Sequence, residues 1–158
     1  MNESQPAHQP TSLLVIGYGN TLRGDDGVGP RVAEAVDALL LPGVRTLICQ
    51  QLSPEHAEPI SQAGRVVFVD AAVDAYGEVQ LRELEPGETT QLMAHAADPR
   101  TMLALARDVF GHAPKAWWLT IPAKELGFSE RLSPTAQRGL ERAIELVRKL
   151  ASKGTTIS

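Results

Sequence analysis

One cysteine, Cys49, is the only thiol in this chain of 158 residues. A lone cysteine can build neither an intrachain disulfide nor a zinc cluster. Set among apolar neighbours, it reads as a buried strand residue rather than a catalytic thiol. Basic charge is also in short supply, with 15 Lys and Arg against 19 Asp and Glu for a net charge of −4. That balance argues against a general nucleic-acid binder, which needs clustered cations to neutralise phosphates. The densest basic run, Arg142, Arg148, Lys149 and Lys153, falls on a predicted C-terminal helix, where the helix dipole alone favours it. No apolar run approaches the length of a membrane span. The first eleven residues are polar and contain proline, without the basic flank and apolar centre of a secretory signal. The expected location is the cytoplasm.

What remains is an ordinary globular balance, 43% hydrophobic and 22% charged. A chain of this length fits one domain, expected over residues 12–151, with tails at 1–11 and 152–158. Such a domain buries roughly 68–70% of its unfolded surface and folds without disulfides or structural metal.

Apolar runs alternate with amphipathic stretches along the chain. Leu13-Leu14-Val15-Ile16 reads as a strand covered on both faces. After a Gly-rich loop, Val28, Val32, Ala35, Val36 and Leu39 recur at helical spacing, and Pro42-Gly43 predicts the stop. A second strand is expected at Val44–Cys49, then one or two helical turns within Pro54–Gln62 interrupted near Pro59. Val66–Val69 is the next buried strand, ending in Asp70. Glu78–Leu84 alternates apolar and polar and predicts an edge strand returning antiparallel to its predecessor. Asp98-Pro99 and Ser133-Pro134 are helix starts by capping logic, and Gly111 is a helix stop. Met102, Leu103, Leu105, Ala106 and Val109 supply the apolar face of the first of these helices; Lys115–Ile121 reads as the last strand. The sum is an α/β three-layer sandwich, phosphorylase/hydrolase-like, with a mostly parallel twisted sheet of about five strands and one antiparallel strand. In such sheets ligands bind beyond the carboxyl ends of the strands. The loop after the first strand and Asp70 both belong there.

Gly17-x-Gly19 between strand and helix invites a dinucleotide-binding reading, but Leu22 stands where the third glycine of that fingerprint is needed. No Gly-Lys-Ser/Thr follows, so a phosphate-binding P-loop is excluded as well. The same loop carries adjacent carboxylates, Asp25 and Asp26. One of them can serve a helix N-terminus while the other faces the crevice. Asp70 is either a turn cap or a crevice acid. Of four histidines, His95 stands just upstream of the Asp98-Pro99 helix start, whereas His8, His56 and His112 lie in the tail, a polar helix start and a helix end. Two carboxylates and an imidazole suit a divalent ion such as nickel or zinc. Their spacing says nothing for or against it, because only the fold can bring three separate segments together.

The segment Leu13–Gly29, LLVIGYGNTLRGDDGVG, resembles the N-terminal signature of the hydrogenase maturation proteases. Val66–Ala72 (VVFVDAA) is similar to that family's second block, and His95–Ala106 (HAADPRTMLALA) to its third. Thr120-Ile121-Pro122 and Leu132-Ser133-Pro134 fit its closing pattern, so the likeness covers roughly 13–150 in order. Met93-Ala94 departs from the Ser or Thr usual before the histidine. The resemblance implies an endopeptidase that removes the C-terminal extension of a nickel–iron hydrogenase large-subunit precursor after nickel insertion. It carries the family's metal-contacting and catalytic trio onto Asp26, Asp70 and His95. The nickel would arrive with the substrate, the isolated protein holding none tightly, and the protein would act as a monomer without nucleic acid or membrane. Two other readings stay open: a factor that recognises the nickel centre without cutting, and an enzyme similar to peptidyl-tRNA hydrolase, which shares Gly-x-Gly-Asn but requires a basic surface.

Overall fold

The computed structural model describes residues 11–73, 77–88 and 98–154. The apolar run becomes strand β1 (Leu13–Tyr18), buried along its whole length. Helix α1 (Val28–Ala38) follows a single 3-10 turn at Gly24–Gly27. Next come β2 (Val44–Cys49), the short helix α2 (Ala57–Ser61) and β3 (Arg65–Ala72). The chain continues with β4 (Gln80–Leu84), α3 (Pro99–Phe110), β5 (Lys115–Pro122) and α4 (Pro134–Gly154).

The sheet order is β2-β1-β3-β5-β4. Every pairing is parallel except β4 with β5. Strand alternation divides the core into two layers. Leu14, Ile16, Val66 and Phe68 point to one face and pack with Ile60 of α2 and Met102, Leu103 and Ala106 of α3. Leu13, Val15, Val67, Val69 and Leu119 point to the other, against Val28, Val32 and Val36 of α1 and Ala143 and Val147 of α4. This is the expected three-layer α/β arrangement with one antiparallel strand.

The differences from expectation have local causes. β4 lies at the sheet edge, but its partner is β5 rather than its predecessor β3. β5, largely buried, takes the inner place beside β3, and β4, with Arg82 and Glu83 exposed, takes the rim. Helix α1 closes at Ala38, before Pro42-Gly43, and Leu39 falls outside it and is exposed; Ala33 completes the buried stripe instead. Pro59 does not interrupt α2, because it stands in the first turn, where its missing N–H breaks no intrahelical bond. Val109 of α3 is exposed, and Cys49 is only half-buried because β2 is an edge strand. α4 continues through Gly154, beyond the expected end of ordered helix at 151. β3 does not end in Asp70 but runs two residues further, paired to Ile121 and Pro122.

The capping expectations are met. Asp98 accepts the Arg100 N–H at 2.8 Å with Pro99 at the first helical position, and Gly111 takes a φ of 85° at the other end of α3. Replacing Asp98 with Ala is expected to cost about 1 kcal/mol, the usual worth of an N-cap, read as a lowered denaturation midpoint with unchanged slope.

Candidate functional site

β1 stops at Tyr18 while its neighbour β3 continues to Ala72, and the strand order reverses between them, which is where the crevice of such a sheet lies. The loop that follows β1 turns back over this end. Gly19 has a φ of 144°, and a Cβ there would strike the Asp26 carbonyl. A Cβ on Gly17 would likewise strike the Gly29 carbonyl. The paired glycines therefore serve close packing of the loop and α1 onto β1. That explains a Gly-x-Gly pattern without the rest of a nucleotide fingerprint.

The folded-back loop separates the two adjacent acids completely. Asp25 has no exposed surface. Its Oδ2 accepts the Lys124 N–H at 2.7 Å, the Glu125 N–H at 3.0 Å and the Ser133 hydroxyl at 2.7 Å. Its Oδ1 accepts the Ser133 N–H at 2.7 Å. Ser133 in turn accepts the Ala136 N–H at 3.2 Å, which makes it the cap of α4. Burial alone would raise the Asp25 pKa, but the Ser133 hydroxyl and three backbone N–H groups outweigh it and hold the carboxyl below its ordinary value. Asp25 thus joins the site loop to the β5–α4 connection. The link is reinforced where Gly24 N–H donates to Ser129 at 2.7 Å and Ser129 N–H to Leu22 at 2.9 Å.

Asp26 points the other way. Its Oδ2 accepts the Asn20 N–H at 2.7 Å, and the side chain is partly exposed at the crevice. Asp70 approaches from β3, on the face covered by α2 and α3. Its Oδ2 accepts the Tyr18 hydroxyl at 3.1 Å. Burial raises the Asp70 pKa to about 6; the Tyr18 hydroxyl and the Ala71 N–H oppose the rise, and the charge of Asp26 adds to it. Asp26 and Asp70 are therefore electrostatic neighbours. The Tyr18 pKa lies far above its ordinary value, first through burial and then through the Asp70 charge.

Of the sequence-predicted trio, the fold brings Asp26 and Asp70 to one crevice. His95 lies outside the described residues. Among the described residues no group of three His, Cys, Asp or Glu is arranged to hold a metal. His56 is accounted for structurally, its Nδ1 accepting the Ser53 N–H at 3.0 Å in a capping box. His112 follows the far end of α3 from Asp98, a helix of 12 residues, about 18 Å of rise. Burial and the Glu55 charge raise the Cys49 thiol pKa, which disfavours the thiolate. Tyr18 is the residue that sequence reading missed; Ser133 was read as the cap of the last helix, but not as a partner of Asp25. A phenol closing an otherwise aliphatic strand was the available signal for Tyr18.

Searches against protein-family models and curated proteins gave no match. Solved structures do match. The hydrogenase maturating endopeptidase HybD from E. coli superposes with a TM-score of 0.73 at 23% identity, over 91% of this chain and 94% of that one. The NiFe hydrogenase maturation protease HycI from Thermococcus kodakarensis KOD1 gives 0.68 at 24% identity, over 90% and 93%. The hydrogenase 2 maturation peptidase from Thaumarchaeota archaeon SCGC_AB-539-E09 gives 0.66 at 22%, over 88% and 97%. At these identities the likeness establishes a shared fold.

Two substitutions test the electrostatics with opposite signs. Asp25→Asn leaves buried N–H donors without acceptors and is expected to cost about 2–4 kcal/mol at neutral pH. Because the folded pKa of Asp25 is depressed, its contribution is present above 3.8 and lost as pH falls below that value, so the gap between variant and wild type closes only in acid. Asp70→Asn is expected to raise the melting temperature instead. Ionising Asp70 disfavours the folded state, so the gain grows as pH rises from 3.8 to about 6 and then levels off. Thermal melts of both variants between pH 3 and 8 check the two curves.

Proposed function

We propose that this chain is an endopeptidase that removes the C-terminal extension of a nickel–iron hydrogenase large-subunit precursor once nickel has been inserted. The observation that carries the reading is the meeting of Asp26 and Asp70 at the carboxyl edge of the sheet, in a fold shared with hydrogenase maturation peptidases. The ordered sequence blocks add the same direction. The reading implies a cytoplasmic protein acting as a monomer, with the precursor as its partner.

The donor chemistry suits the task. Carboxylate oxygens bind nickel more reversibly than the thiolates that hold it in the precursor, so the crevice can test for the ion without extracting it. His95 would be the third contact. It stands three residues before Asp98, whose charge acts on Tyr18 at the base of the crevice.

For the hydrolysis itself, no serine or cysteine stands at the crevice as an activated nucleophile among the described residues, and a water is the natural attacking group. Asp70, with a pKa of about 6, is a competent base near neutral pH. It would take a proton from the water as the new C–O bond forms, and that proton would pass to the departing amine as the C–N bond breaks. Asp26, held by the Asn20 N–H, would remain the fixed anionic contact for the substrate's nickel.

The test is to incubate the purified chain with nickel-loaded and nickel-free precursor and follow intact mass. Shortening only of the nickel-loaded form is expected, and Asp26→Asn and Asp70→Asn should each slow it by about a hundredfold or more. Tight binding with no change in precursor mass would favour the nickel-recognising factor. Full cleavage by Asp70→Asn would remove both roles given to that residue.

A further inference from the structure

β1 is aliphatic from Leu13 to Ile16, yet it closes on a tyrosine placed between two glycines. Tyr18 is 9% exposed and belongs to the same buried cluster as Ile16, Phe68 and Met102. A buried phenol costs free energy unless its hydroxyl is paired. An aliphatic residue would fill a strand position here without that cost. The hydroxyl finds its partner in a site carboxylate rather than in the backbone, donating to Asp70 Oδ2 at 3.1 Å. The Trp118 indole N–H, buried on β5, faces the same phenol but falls short of hydrogen-bond geometry with it. The ring is thus held by packing, and among the described residues its hydroxyl hydrogen-bonds Asp70.

We propose that Tyr18 is a positioning residue that fixes the orientation of the Asp70 carboxylate for the reaction at the crevice. The Asp70 side chain has two rotatable bonds, and its strand neighbour β1 ends beside it, so on one flank no further strand confines it. A hydrogen bond to one oxygen from a ring locked in the core restricts both rotations. The two crevice acids are then held alike: Asp26 by the Asn20 N–H on its Oδ2, and Asp70 by the Tyr18 hydroxyl on its Oδ2. Each accepts one of these bonds on its Oδ2. The two donors stand two residues apart in the chain, so the end of β1 and the start of its loop set the orientation of both acids. This assignment rests on the peptidase reading.

Two variants that remove the hydroxyl test it. Tyr18→Phe keeps the ring, and Tyr18→Met fills the space with a flexible side chain, so a packing defect peculiar to one shape does not pass for loss of the hydroxyl. The wild type and both variants are assayed on nickel-loaded precursor for kcat and KM, with melting curves in parallel. The expected result is a kcat lowered by about tenfold to a hundredfold in both variants, the range for a misplaced reacting group, with KM within about threefold. Melting temperatures should remain well above the assay temperature. A folded variant of either kind that cleaves at the wild-type kcat overturns the positioning role and leaves the peptidase reading standing. A wild-type protein that does not cleave overturns the peptidase reading, and the assignment with it.

Discussion

The Asp25 carboxylate, without any exposed surface and met by three N–H groups and a hydroxyl, ties together segments about a hundred residues apart in sequence. The loop after β1, the chain leaving β5 and the cap of α4 all close on this one group. Its ionised form is what those donors select, so charge and architecture depend on each other. With Asp25 drawn into the protein, its neighbour is turned outward, and the orientation of Asp26 at the crevice is a consequence of that anchoring. The glycines serve the same arrangement, because Gly19 allows the loop to lie against Asp26 and Gly17 allows α1 to lie against β1.

Three carboxylates within this small region behave differently because their surroundings differ. Asp25 is buried with an excess of donors and is held ionised. Asp70 is partly buried, with fewer donors and beside a second acid, so its ionisation is resisted. Asp26 is partly exposed, with one backbone donor. The first suits a structural joint. The second suits proton transfer near neutral pH, and the third suits a fixed contact to a cation. The contrast among the three follows from burial and donor count, with no difference in side-chain chemistry.

Much of the fold was legible in the chain. Continuous apolar runs announced β1 and β3, Asp98-Pro99 and Ser133-Pro134 announced α3 and α4, and Gly111 announced a helix end. These are short-range signals, set by backbone sterics and by the need to satisfy the first and last turns of a helix. What went astray depended on neighbours. Leu39 and Val109 have the right spacing for a buried stripe, yet α1 ends before the first and no described residue covers the second. β4 was expected beside β3, but pairing follows the competition among strands for inner places, and β5 won it.

The site divides along the same line. Residue types and local spacing were enough to single out the acidic pair and Asp70, because a loop between buried strand and helix and a strand end in a parallel sheet both deliver side chains to one edge. Chain pattern alone could not say which acid of the pair is buried. That depends on Lys124, Glu125 and Ser133, about a hundred residues away, arriving with their donors at Asp25. Nor could it show Tyr18 against Asp70, a contact across 52 residues that exists because the parallel register sets Gly17 beside Val69 and so the next two side chains together. Local rules act over a turn of helix or a pair of strand residues. The pairing of a buried charge with its donors is a long-range match, and it is met only when the whole sheet has assembled.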